Sequence, residues 1–435
     1  MSESILIQSA AIEGGERTDI LIEDGRIAQL GQGLRRDGAR VIDASGLIAL
    51  PGLVDLHVHL REPGYEASET VLTGTRAAAA GGFTAVFAMP NTRPVADAPE
   101  IVERELDLGE AAGYATVQPI GAVTVGQQGE ALADLEGMAS SRAAVRVFSD
   151  DGFCVSDPLL MRQALERVAA IGGVVAQHAQ DPRLTEGAQM NEGIVSADLG
   201  LAGWPAVAEE SIIARDVLLA EHLGARLHVC HLSTAGSVDI VRWAKARGVQ
   251  VTAEVTPHHL LLTDDLVRTG DPRYKVNPPL RRDDDVMAVR QGLADGTIDI
   301  VATDHAPHPA EAKSGDWSHA ANGMVGLESA LRVVHHTMVE TGLLTWADVA
   351  RVMSKTPARI GQLAGHGTPL EAGQPAEIVL YDPNAGAEFT VADLRGRSTN
   401  TPYGGRQLPG SVRWTVHRGY LTLADGELVE LENHS

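Results

Sequence analysis

The chain has 435 residues, 44% of them hydrophobic and 21% charged, which is more than one average domain holds and suits a protein with a large core. Thirty-five Lys and Arg against 58 Asp and Glu give a formal charge of −23, so the surface repels phosphate backbones and anionic lipid and argues against nucleic-acid or membrane binding. Two cysteines, Cys154 and Cys230, cannot build a disulfide framework, residues 1–6 are too short for a leader's apolar core, and no apolar run reaches bilayer length; a cytoplasmic protein is expected.

In chain order, the first fifty residues read as short strands: 5–12, then 19–27 alternating around the turn Glu23-Asp24-Gly25, then 40–50. From Gly52 to about Ala364, apolar runs alternate with Ala-rich helical stretches, the pattern of repeated βα units and a parallel sheet. Eight such runs stand at 53–59, 83–89, 116–123, 144–149, 173–178, 225–231, 249–255 and 298–303. Helices are expected at 70–80, 99–112, 158–170, 205–223, 237–246 and 285–293, with two more at 326–340 and 346–355. No glycine-rich dinucleotide fingerprint follows the first run, so the expected fold is a (β/α)₈ TIM barrel rather than an open doubly wound sheet. After Gly365 strands return at 377–381, 388–390, 412–417 and 420–423. Each terminal cluster is too small to hold a core alone. Residues 1–50 and 365–435 are therefore expected to pair into one small β-sandwich domain flanking a barrel of residues 51–364.

The chemistry-bearing residues fall at the ends of these runs. His57 and His59 close the first run, and because strand residues i and i+2 point to one side, both can reach one ion. The fourth run ends in Ser149-Asp150-Asp151-Gly152, the fifth at His178, the sixth at His231 and the eighth in Thr303-Asp304-His305. A parallel α/β barrel carries its chemistry at the C-terminal ends of its strands, so five strands deliver His or Asp to one rim. Imidazole with carboxylate suits Zn²⁺ or a similar divalent ion. The ligands are too many for one tetrahedral ion, and two ions need a bridge. A carboxylate can give one oxygen to each; the fourth run offers Asp150 and Asp151, and no lysine precedes Lys245.

His57-Val58-His59-Leu60-Arg61-Glu62-Pro63-Gly64, Met89-Pro90-Asn91-Thr92, Ser149-Asp150-Asp151-Gly152, Thr303-Asp304-His305-Ala306-Pro307-His308 and the tail Ser398-Thr399-Asn400-Thr401-Pro402-Tyr403-Gly404-Gly405 resemble the signature segments of class I dihydroorotases, within the amidohydrolase superfamily. The resemblance implies one Zn²⁺ on His57, His59 and Asp304, a second on His178 and His231, and Asp151 as the bridge, with Asp150 supporting. It implies reversible cyclisation of N-carbamoyl-L-aspartate to L-dihydroorotate in pyrimidine biosynthesis, by a hydroxide generated at the metals, with Asp304 as general base and acid. Arg61 and Asn91 would clamp the substrate carboxylate, helped by His308, and Asn277 would meet the ring amide edges. A homodimer and an association with aspartate transcarbamoylase are further implications.

Two other readings stand beside it. A hydantoinase, dihydropyrimidinase or allantoinase shares the fold and the His-x-His start, but typically uses the lysine bridge that this chain lacks and needs no clamp such as Arg61 with Asn91. An inactive scaffold for aspartate transcarbamoylase would have lost metal ligands, and every expected ligand is present. The stretch 307–322 reads as a mobile lid or as a plain exposed loop, and Asn322-Gly323 stands where the resemblance leads one to expect an aromatic before the glycine. Cys154 and Cys230 read as small buried hydrophobes.

Overall fold

A computed structural model describes residues 4–431; the first three residues of the 1–6 stretch lie outside it. Strands from both ends of the chain form one nine-stranded sheet, in the order Glu427–Leu428, Tyr420–Ala424, Ser411–His417, Ile378–Asp382, Ile48–Pro51, Ile5–Ile12, Arg17–Glu23 and Arg26–Gly31, with Arg40–Asp43 also on Ile5–Ile12. The join is the antiparallel pair of Ile48–Pro51 with Ile378–Asp382. It buries Ile5, Ile7, Ile20, Ile22 and Ile42 with Ile378, Leu380 and Val416 in one cluster that neither terminus could fill alone.

Two expected strands divide. The alternation over 19–27 is a hairpin, because Asp24 and Gly25 both take positive φ, 48° and 76°, as a tight two-residue turn requires. The run 40–50 breaks between Asp43 and Ile48, where Leu47 N–H donates to Ala44 O and Gly46 has φ 88°.

All eight interior runs form strands: Leu53–Val58, Phe83–Ala88, Thr116–Pro119, Val147–Phe148, Val174–Gln177, Leu227–Val229, Val251–Val255 and Ile300–Val301. The first three pair in parallel, and so do the last five. Isolated parallel bridges Gly121↔Phe148 and Val58↔His305 join the two ladders, so the pairing order returns to its first strand. Asp55 reinforces that return, accepting from Thr303 N–H at 3.1 Å. Apart from Thr116, Gln118 and Thr252, which are partly buried, the strands are buried on both faces. Val54, Leu56, Phe87, Val147, Val174 and Ile300 share one cluster, while Val58, Val86, Val117, Val175 and Leu227 pack outward with the helices.

The expected helices are present at Val71–Ala80, Pro99–Ala112, Pro158–Ala170, Val207–Leu223, Ala235–Ala246 and Asp283–Ala294. The helices expected at 326–340 and 346–355 depart from plain α-helix, widening into π-turns at His335–Val339 and Arg351–Lys355. Three short helices escaped the periodicity: Leu135–Ser140, Ile194–Leu199 and Pro257–Leu261, each under two turns. Residues 354–366 close the entry end of the parallel strands. Ser354 donates to Gly52 O at 2.7 Å, Gln362 to Gly172 O at 2.6 Å, and His366 meets Thr84 and Thr116 hydroxyls at 3.3 and 3.1 Å. Ala358 and Ile360 enter the inner cluster there. Among the described residues no helix is long and apolar enough to cross a membrane.

Candidate metal centre

At the other end, the last residues of the expected runs leave the ladders and turn inward. His57, His59, Asp151, His178, His231 and Asp304 come together there, none more than 5% exposed. Asp151 is at the middle. Its Oδ2 lies 3.3 Å from Nε2 of both His57 and His59, and its Oδ1 lies 3.2 Å from His178 Nδ1 and His231 Nε2. Asp304 Oδ1 completes the first set, 3.1 Å from His59 Nε2 and 3.5 Å from His57 Nε2. Asp150 points elsewhere, accepting from the backbone of Val123 and Thr124 at 2.8 and 3.0 Å and so anchoring the third strand's exit loop.

The outer nitrogens explain why the inner ones face each other. His57 Nδ1 donates to Glu254 Oε1 at 2.6 Å, His59 Nδ1 to Asn91 Oδ1 at 2.8 Å, and His178 Nε2 to Gln180 Oε1 at 2.8 Å. Each of these imidazoles therefore turns a lone pair inward, toward carboxylates that are themselves acceptors. His57 Nε2 is buried with no hydrogen-bond partner, and His178 Nδ1 lies 2.8 Å from His231 Nε2. Converging acceptors of this kind repel unless a cation sits among them. The field points the same way: burial disfavours a charged His57, yet Asp151, Glu254 and Asp304 outweigh burial and raise its pKa well above the ordinary imidazole value. His57, His59, Asp151 and Asp304 offer ligand atoms within 4.8 Å of one another, and so do Asp151, His178 and His231. The donor set fits divalent metal.

Backbone strain gathers here as well. Arg61, His231 and Asp304 have φ of 65°, 30° and 47°, a region that L-residues occupy at a cost of about 1–3 kcal/mol each. Half-buried Arg61 donates from Nε to Pro307 O at 3.2 Å, and no acceptor among the described residues meets its two Nη atoms. Burial lowers its pKa to about 10, against the pull of Asp304 and Asp151, so it stays charged at neutral pH.

The other expected substrate residues have protein partners. Asn91 gives its oxygen to His59. Asn277 donates to Gln180 Oε1 at 3.0 Å and keeps a buried, unpartnered Oδ1. His308 donates from Nε2 to Asn322 O at 2.7 Å; burial and Arg61 lower its pKa to about 3, which leaves a neutral ring whose Nδ1 is an acceptor. The 307–322 stretch is tethered. Lys313, 8% exposed, donates to Lys275 O and Ala321 O, Lys275 reaches Trp317 O, and Trp317 Nε1 donates to Gln189 O. Cys230 is buried and Cys154 partly so; burial raises both thiols, Cys154 to about 12, which makes them packing groups rather than nucleophiles.

Sequence reasoning missed Glu254, His228 and Gln180. The one trace of Glu254 in the sequence is a carboxylate set among Val251, Thr252, Ala253 and Val255, a pattern that a half-exposed strand shares.

Solved structures place the fold. The chain superposes on an L-hydantoinase (dihydropyrimidinase) from Arthrobacter aurescens with a TM-score of 0.88, 24% identity and coverage of 99% and 98% of the two chains. A D-hydantoinase from a Thermus species gives 0.85 at 25% identity, covering 99% and 97%. The fold is thus the mixed α/β fold of the hydantoinases. The sequence narrows this. A dihydro-orotase-like family profile matches residues 46–237. The dihydroorotases of Leifsonia xyli and Streptomyces coelicolor are 70% and 64% identical, over 98% and 97% of this chain and 98% and 99% of theirs, and that of Mycobacterium tuberculosis is 53% identical over 98% and 99%. The chain belongs to the dihydroorotase family.

Proposed function

We propose that this chain is a two-zinc dihydroorotase, which closes N-carbamoyl-L-aspartate to L-dihydroorotate and water and runs the reverse hydrolysis. The observation that carries this reading is Asp151, whose two oxygens each face a separate pair of imidazoles at 3.2–3.3 Å. One carboxylate so placed can hold two ions without the lysine that this chain lacks on its fourth strand. The eight parallel strands are read as a closed (β/α)₈ barrel over 51–364, and the terminal sheet as a small β-sandwich domain of 1–50 and 365–435. The same reading takes the protein as a cytoplasmic homodimer acting on a small molecule.

Zinc, when bound, acidifies water toward neutrality and polarises a carbonyl. Everything else is work for side chains. Arg61, charged and with free Nη atoms, is the partner for the carboxylate that the ring retains, and a two-pronged guanidinium contact fixes the ring's orientation. Asn277 Oδ1 is an acceptor for a ring N–H. His308 reaches a carboxylate only by releasing Asn322 O. In hydrolysis a water oxygen bonds to the ring carbonyl carbon and the carbon–nitrogen bond breaks. Asp304, beside both His57 and His59, takes the water's proton and hands it to the departing nitrogen; cyclisation reverses each transfer.

The test is hydrolysis of L-dihydroorotate, hydantoin and allantoin by the purified zinc-loaded protein. A higher kcat/KM for dihydroorotate than for either rival is expected. Preference for hydantoin or allantoin overturns the substrate assignment, and a fully loaded protein inactive on all three overturns the enzyme reading.

A further inference from the structure

Glu254 lies behind the metal centre and touches no inner ligand atom, yet it contacts a ligand from each half. Its Oε1 accepts from His57 Nδ1 at 2.6 Å and from the backbone N–H of His231 at 3.1 Å. Its Oε2 accepts from His228 Nε2 at 3.0 Å, and His228 Nδ1 meets Thr252 Oγ1 at 2.8 Å. Glu254 and His228 are buried, at 0% and 1% exposure, as are His57 and His231.

Two consequences follow from that one oxygen. On His57 it fixes the tautomer that turns the Nε2 lone pair to the centre, and its charge makes that nitrogen a stronger donor. On His231 it holds the N–H of a residue at φ 30°, a conformation a histidine keeps only where its surroundings over-determine it. The other outer partners serve one ligand each: Asn91 meets His59, and Gln180 meets His178. We infer that Glu254 is a positioning residue shared by both metal sites, one carboxylate setting the orientation of His57 in the first set and of His231 in the second. This rests on the two-metal reading above.

Glutamine and alanine at this position separate charge from geometry. An amide oxygen in place of Oε1 still accepts from His57 and His231. The amide nitrogen then faces His228 Nε2, and His228 turns to its other tautomer because Thr252 Oγ1 accepts from Nδ1. Glu254→Gln thus keeps the shape and loses the charge. Glu254→Ala leaves two buried N–H groups without acceptors.

The experiment is Zn²⁺ titration of metal-free protein against a chromophoric chelator, with thermal melting of the same samples. Glu254→Ala is expected to weaken both binding steps by about 10- to 100-fold, and Glu254→Gln to weaken both by about three- to tenfold. Asn91→Ala is expected to weaken one step only. If Glu254→Gln binds Zn²⁺ as tightly as the parent, or Glu254→Ala lowers the melting temperature with both affinities unchanged, the inference fails. If only one step weakens, the shared role fails. Asp151→Asn is the control for the underlying reading: two unchanged steps in that variant overturn the metal centre itself, independently of Glu254.

Discussion

The two ends of the parallel strands are built from the same chain by opposite means. At the entry end, residues 354–366 cover the strand starts, and Ala358 and Ile360 join Val54, Phe87 and Val174 in apolar packing. Gly361 fits only because it lacks a side chain: a Cβ there would lie 2.2 Å from the Phe87 ring. At the exit end imidazoles and carboxylates converge, held by amide side chains, and three residues there take positive φ. Folding free energy comes from the first arrangement and is spent on the second. Substitutions at the two ends should therefore fail in different assays.

The largest effect expected is at the exit end. Asp304→Asn keeps the size of the side chain and loses the base, so kcat should fall by about 10²- to 10⁴-fold. The thermal midpoint and substrate binding should survive, because Asp304 holds no strand in place. Steady-state kinetics alongside a thermal melt check both halves. A kcat within threefold of the parent would remove Asp304 from its role.

Phe87→Ala is the counterpart at the entry end. It should cost about 3–5 kcal/mol in denaturant unfolding, while the folded fraction keeps its kcat. Gly361→Ala approaches the same contact from the other side, forcing the Phe87 ring to move, at about 1–3 kcal/mol. Should either variant lower kcat tenfold with little change in stability, the division of labour between the ends is wrong.

Arg61→Met tests the mouth of the site. Losing a charged hydrogen-bonding partner is worth about 1.5–3 kcal/mol, which appears as KM raised roughly 10- to 100-fold with a smaller change in kcat. A change confined to kcat would reassign Arg61 from substrate to chemistry.

The entry end and the rim differ also in how far they could be read before folding. Buried parallel strands leave continuous apolar runs, so all eight were visible, and a two-residue period placed His57 and His59 together. Resemblance, not spacing, preferred Asp151 to Asp150, since adjacent aspartates at a strand end look alike until the backbone turns one outward to Val123 and Thr124. Glu254 was hidden for a different reason. Within Val251-Thr252-Ala253-Glu254-Val255 it mimics a half-exposed strand, and only parallel pairing with Leu227–Val229 puts Thr252 and Glu254 beside His228. The π-turns and the short helices were equally unreadable, because they depend on what the chain packs against. The tethering of 307–322 needs Lys275 and Gln189, which are remote in sequence.

The smallest effect expected concerns an ion pair at the entry end, and it sharpens the contrast because the rim depends on charges. Lys355 Nζ reaches Glu13 Oε1 at 2.5 Å, tying the closing segment to the terminal sheet, with the two side chains 34% and 20% exposed. Water reaches both groups, so their attraction is screened, and holding two long side chains in one geometry costs rotamer entropy. Such pairs contribute about 0.2–1 kcal/mol. A double-mutant cycle of Lys355→Met and Glu13→Gln should give a coupling in that range, and it should shrink in 1 M salt, where the screening length falls to about 3 Å. Neither substitution should alter kcat or KM. A coupling well above 2 kcal/mol would mean that charge, and not apolar closure, holds the entry end, and the two ends would then be less different than their residues suggest.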